Sequence, residues 1–166
     1  MKTCRRGAFT LVELVTAIAV LGVIAAVLLP IINGAADSYA GAAALRAGAD
    51  RAGFAMDRCL QTLRESPAGS VAGSLDITTA APDRVIFGDG HGIEYSNGVL
   101  YLRDSADSAS PLCRDVNEFV ISYIGADGVT STASSPANTH RYYVTLRVGE
   151  VGLSAAAFPR VLVVKP

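Results

Sequence analysis

Glu13 stands at the head of an apolar run. From Leu14 to Ile32 there are 19 residues without a charge, and Thr16 is the one polar side chain among them. An ionised carboxylate inside a membrane span costs at least ~2.5 kcal/mol on insertion scales unless a partner neutralises it. The chemistry open to Glu13 is therefore pairing with a cation, or hydration near the headgroups. Three other sets of reactive side chains follow: the thiols of Cys59 and Cys113, the imidazoles of His91 and His140, and the carboxylates of Asp104, Asp107 and Asp127. His91 lies in the Gly-rich turn Gly88-Asp89-Gly90-His91-Gly92, and His140 lies at the edge of a strand-like run. That is a poor kit for hydrolysis: there is no nucleophile elbow and no His pair at metal spacing. The Gly-rich turn also lacks the pattern and the Lys of a phosphate loop, so a hairpin connection is expected there and the chain reads as a non-enzyme.

The elements that hold these residues are legible from periodicity. Residues 9–32 are long and apolar enough for a transmembrane helix, and Lys2, Arg5 and Arg6 before them place the N-terminus in the cytoplasm by the positive-inside rule. Beyond Ile32 the pattern stays helical to Glu65. Leu45, Ala49, Ala52, Met56, Cys59 and Leu63 form one apolar stripe, while Arg46, Asp50, Arg51, Asp57, Arg58 and Glu65 line the other side. One helix of about 55 residues, or ~85 Å at ~1.5 Å per residue, is then half anchor and half spine. Ser66-Pro67-Ala68-Gly69 ends it, because the residue before Pro is pushed out of the α region. Gly34, Gly41 and Gly48 recur every seven residues as a smooth strip, suited to a neighbouring helix or to the chain's own sheet. Phe54 points away from the apolar stripe and is a candidate subunit contact.

After Gly69 the period switches to two. Strand-length runs lie at 75–78, 84–88, 92–96, 99–103, 118–124, 142–148 and 161–164. Asn97-Gly98 is a two-residue hairpin turn, Ala126-Asp127-Gly128 is another turn, and 104–111 and 130–140 read as surface loops. The expected fold is α+β, a long N-terminal helix packed on an antiparallel β-sheet head over residues 66–166.

The stretch Arg5-Arg6-Gly7-Ala8-Phe9-Thr10-Leu11-Val12-Glu13-Leu14 resembles the processing signal of type IV pilins and of the pseudopilins of type II secretion. The resemblance is specific over about 25 residues, with looser echoes of the minor pseudopilins at 116–127 and 140–146. It implies a leader, residues 1–8, cut by a prepilin peptidase between Ala8 and Phe9, followed by N-methylation of Phe9. The residue before the cut is usually Gly. Here Gly7 falls one place early, and a cut after Gly7 would put Glu13 sixth instead of fifth in the mature chain. Gly22 and Pro30 match positions where the helix of related filaments loosens on assembly, in keeping with a weak helix former and a missing N–H. A secretory signal peptide cut at Gly34-Ala35-Ala36 is the competing account, against which stand the length of the apolar run and Glu13 within it.

The resemblance further implies a filament subunit of a pilus or secretion pseudopilus, with a minor subunit favoured. Its partners would be other pilin or pseudopilin subunits, the prepilin peptidase and the inner-membrane assembly platform. The chain would sit in the inner membrane with a periplasmic head until assembly, where Glu13 would meet the amine of a neighbouring Phe9. The alternative is a membrane-anchored binding domain that never polymerises. Without the leader the chain holds 11 basic and 15 acidic side chains, so no nucleic-acid surface is expected. Cys4 leaves with the leader. The remaining even pair, Cys59 and Cys113, is then expected to form a disulfide, worth roughly 4 kcal/mol in the chain-entropy account for a loop of this length. No cofactor is expected. Some pseudopilins use a cation in this half, but Asp104, Asp107 and Asp127 lack a liganding spacing for Ca2+.

Overall fold

In the computed structural model, residues 10–106 and 108–162 are described below. The leader and Phe9, which carry the expected cut and methylation, lie outside them, as do Asp107 and residues 163–166. Helix α1 runs unbroken from Leu11 to Arg64. Eight strands follow: β1 (Ile77–Ala81), β2 (Arg84–Phe87), β3 (Gly92–Ser96), β4 (Val99–Arg103), β5 (Ala109–Cys113), β6 (Val116–Ile124), β7 (Arg141–Val148) and β8 (Val151–Ala157), with single 3-10 turns at Pro136–Asn138 and Arg160–Leu162. The fold is α+β, as expected. The strands make two antiparallel sheets, a five-stranded one in the order β1-β2-β3-β4-β5 and a three-stranded one in the order β6-β7-β8.

The chain divides after Ala44 into two compact units. In the first, 11–44, every residue is exposed, and it includes the one helical stretch among the described residues long and apolar enough to cross a membrane. The second, from Leu45, is the head. It takes in the last five turns of α1 and so begins earlier than the expected boundary at residue 66. Its core joins Ala52, Ala55, Met56, Cys59, Leu60 and Leu63 of the helix to Val85, Phe87, Ile93 and Leu100 of the first sheet and Phe119, Ile121, Val144 and Leu146 of the second. The apolar stripe is thus real from Ala52 onward, but Leu45 is 54% exposed and Ala49 is exposed as well.

Turn chemistry sets the sheet registers. Asn97 and Gly98 both take positive φ, 51° and 77°, and close the β3–β4 hairpin with Ser96 opposite Val99, the geometry a type I′ turn requires. Gly149 at φ 56° closes β7–β8 with Val148 opposite Val151. The free edge of β6 is tied to two turns of the first sheet. Ile121 N donates to Pro82 O at 2.7 Å, and Val116 N donates to Gly98 O at 3.0 Å. The Tyr123 hydroxyl adds a bond to Ala81 O or Arg84 O, each 2.9 Å away. At the helix end, buried Ser66 donates to Leu63 O at 2.6 Å and sits 3.1 Å from the Tyr142 hydroxyl, which anchors the last turn to β7.

Three sequence expectations change. β5 takes up the last three residues of the expected loop 104–111, and its Pro111 is tolerated because β5 is an edge strand. β8, rich in Ala and Gly, lacks the β-branched signature of a strand. The expected strand at 161–164 is a 3-10 turn as far as Leu162, its remainder lying outside the described residues. Within the expected loop 130–140, Thr132 and Thr139 are buried with their hydroxyls 2.8 Å apart.

Candidate functional site

Thr10 precedes the first residue of α1, and Glu13 lies on its first turn. The Thr10 backbone N–H and hydroxyl both donate to Glu13 Oε2, at 2.9 and 3.0 Å, while the Glu13 N–H donates to Thr10 Oγ1 at 3.3 Å. This is a reciprocal capping box, which satisfies donors that an α-helix start otherwise leaves free. Glu13 thus accepts hydrogen bonds within its own chain, in addition to any cation that reaches it from outside. Thr10 is the residue the reading of the sequence missed, although Thr-x-x-Glu before an apolar run is the signature of such a cap. The apolar run to Ile32 follows, and the Thr16 hydroxyl turns back onto Val12 O and Glu13 O, both at 3.0 Å, hiding its polarity against the helix.

Gly22 has open space around it, and Pro30 is accommodated without a break in the helix. The glycine strip divides. Gly34 and Gly41 meet nothing within 4 Å, whereas a Cβ on Gly48 would lie 3.8 Å from Val151 Cγ2 of β8. Phe54 is 62% exposed.

The other reactive side chains are dispersed over the head. His91 lines a cleft of about 310 Å³ with Arg58, Gln61, Glu65, Asp89 and Arg103, and its Nδ1 is 3.3 Å from Asp89 Oδ2. His140 lines a different cleft of about 300 Å³ beside Arg141 and Phe158. Asp104 accepts from the N–H groups of Ala106 and Ser108, and Asp127 from those of Val129 and Thr130, so both carboxylates serve their own turns. Among the described residues no three His, Cys, Asp or Glu side chains gather as a metal site.

Cys59 and Cys113 are both buried, 0% and 6% exposed, and both are free thiols. The disulfide expected from their number is therefore not formed here. Burial pushes the Cys59 thiol up to about 12, and the nearby Cys113 adds to the shift. Burial also raises Cys113, but the Arg51 guanidinium pulls it down and Asp115 pushes it up.

The geometry that remains is a capped helix start that opens an uncovered apolar helix, joined in sequence to a self-contained head. Residues 3–29 match the family described as the prokaryotic N-terminal methylation motif. The chain carries the prepilin signal of type IV pilins and pseudopilins. The match spans the expected cut, the capping box at Thr10 and Glu13, and Gly22, and it stops just before Pro30. Proteins bearing this motif are structural rather than enzymatic, and one long N-terminal helix followed by antiparallel sheets is a pilin-like arrangement. No curated protein and no solved structure matches the chain.

Proposed function

We propose that the chain is a structural subunit of a type IV pilus-like filament or a type II secretion pseudopilus. It is cut by a prepilin peptidase between Ala8 and Phe9, N-methylated on Phe9, held in the inner membrane with the head outside the cytoplasm, and drawn from there into the filament. The observation that carries this reading is the motif match at 3–29, with Glu13 on the first turn of an apolar helix. On assembly Glu13 meets the Phe9 amine of an adjacent subunit inside an apolar core, where an opposite charge is strongly attractive and an unpaired one costly. Gly22 and Pro30 are where the helix loosens, and exposed Phe54 is a subunit contact on the head. A minor subunit is favoured, and retention of Glu13 allows it to dock below another subunit.

The test is Glu13→Leu. Insertion and cleavage should persist, while recovery in sheared filaments, or crosslinking to other pilin-like subunits, should fall by an order of magnitude or more, as expected for roughly 1.4 kcal/mol or more of lost pairing. Equal recovery of the variant would refute the pairing. If the wild-type chain is cleaved but never crosslinks to another subunit, a membrane-anchored binding domain replaces the filament reading.

A further inference from the structure

The two free thiols occupy unequal positions. Cys59 lies on the buried stripe of α1 and has no exposed surface. Cys113 ends edge strand β5, its Sγ 3.4 Å from Arg114 O, and it forms part of the wall of an open pocket of about 400 Å³ with Arg51, Pro111, Leu112, Arg114 and Asp115. Cys59 and Cys113 belong to the same buried core cluster, and Arg51, from the helix that carries Cys59, lines the pocket beside Cys113. Across the mouth, Arg51 Nη1 and Asp115 Oδ2 are 3.9 Å apart with both side chains largely exposed. A solvent-exposed pair of this kind is weak and opens readily. Asp115 itself sits at φ 60°, in the left-handed region, so the chain turns sharply immediately beyond the thiol.

We infer that Cys59 and Cys113 are a disulfide-forming pair with a fixed order of attack, Cys113 being the entry thiol reached through the Arg51 pocket and Cys59 the resolving thiol in the same buried core. The oxidant is an external disulfide, carried by a protein or a small molecule. The Cys113 thiolate attacks one sulfur of the donor disulfide, the other sulfur leaves as a thiolate, and a mixed disulfide forms. The Cys59 thiol then attacks the Cys113 sulfur and expels the donor's remaining half, which takes up the Cys59 proton as it leaves as a thiol. The donor gains two electrons and the chain loses two, as one S–S bond replaces two S–H bonds. Burial and the Asp115 carboxylate hold the Cys113 thiol up, and Arg51 works against them, because a guanidinium beside a thiol stabilises the attacking thiolate. The product ties the helix to the β5–β6 junction. The inference stands whether or not the chain assembles into a filament.

Reduced full-length chain in detergent, exposed to oxidised glutathione and then alkylated, provides the test by peptide mass mapping, which keeps Cys4 apart on its own peptide. A linked Cys59–Cys113 peptide is expected in the wild type. Cys59→Ala should accumulate glutathione on Cys113, and Cys113→Ala should leave Cys59 unmodified under native conditions. Arg51→Gln should slow capture by roughly 3–10-fold, the size of a modest change in thiolate fraction. Wild-type protein that takes glutathione on Cys113 but never forms the linked peptide would overturn the pairing. Capture on Cys59 of Cys113→Ala, as fast as on Cys113 of Cys59→Ala, would overturn the order. Because the wild-type result alone decides the pairing, a variant that fails to fold does not shield it.

Discussion

The two parts of α1 have the same backbone and opposite solutions to the same problem. From Leu11 to Ile32 fourteen large apolar side chains are exposed, between 47% and 78% each, and none is covered by its own unit. From Ala52 to Leu63 the apolar positions are few, but six of them are buried against the sheets of the head. At ~1.5–3 kcal/mol for each large apolar side chain left in water, the first part carries a penalty of some tens of kcal/mol that only lipid or neighbouring helices can remove. The second part has already removed its own. A helix that is apolar all round is built for surroundings supplied from outside the chain, and an amphipathic one for surroundings folded by the chain itself.

The comparison breaks most sharply with one substitution made in each part. Leu63→Ala removes a side chain with no exposed surface and should cost the head about 2–5 kcal/mol, read as a lowered denaturation midpoint of the full chain in detergent. Leu21→Ala, 64% exposed, should leave that midpoint where it was. Equal losses would show that the first part also holds the head together. A smaller effect is expected at the junction of the two sheets. Tyr123→Phe keeps the ring and its edge contact with Tyr142, 5.9 Å between centroids, but removes the donor shared between Ala81 O and Arg84 O. The cost should be about 1–2 kcal/mol, since carbonyls that lose a partner in a partly buried place keep their desolvation penalty. An unchanged midpoint would mean that the backbone bonds of Ile121 and Val116 suffice to join the sheets.

What could be read from the sequence follows the same division. The long apolar helix, the motif and the hairpin at Asn97-Gly98 depend on local pattern, and each is found at its expected place. The helix stripe was legible from Ala52, but periodicity alone cannot say where burial begins, so Leu45 and Ala49 were assigned to a core that does not reach them. β5 and β8 were invisible because partners, rather than composition, make them strands: Ala-Ser-Pro-Leu-Cys pairs along β4, and Val-Gly-Leu-Ser-Ala-Ala-Ala along β7. The turn Val148-Gly149-Glu150-Val151 was the available signal for β8, a Gly-led two-residue loop between valines. At the candidate site Glu13 stood out by its charge, while Thr10 was passed over because a threonine beside an apolar helix is unremarkable until its spacing to Glu13 is counted. The cysteines illustrate the opposite limit. Their number suggested a bond, but only the structure reveals that one thiol faces a pocket and the other does not.

The smallest expected effect concerns the same device used in both units. At the start of the apolar part of α1 a threonine and a carboxylate three residues later cap each other. In the head Asp127 precedes Thr130 by the same spacing, and its carboxylate accepts from the Thr130 hydroxyl, the Thr130 N–H at 2.9 Å and the Val129 N–H at 3.0 Å. The Thr130 hydroxyl leads these bonds in holding the Asp127 carboxyl at about 2, below its ordinary 3.8. Because the folded value is the lower one, the turn's contribution is present above pH 3.8 and is lost as the pH falls through about 2. The carboxylate carbon of Asp127, followed by NMR, should therefore titrate near 2 in the wild type and move toward 3.8 in Thr130→Val, with almost no change in the denaturation midpoint at neutral pH. A titration of Asp127 left near 2 by Thr130→Val would assign the shift to the backbone donors alone. Either way Asp127 is committed to its own turn, as Asp104 is, and a cation would have to displace those donors to bind there. Glu13 differs in what surrounds it: its cap opens onto a helix that its own unit leaves exposed, so in the proposed filament its intrachain partner is the one that a neighbouring Phe9 amine would replace.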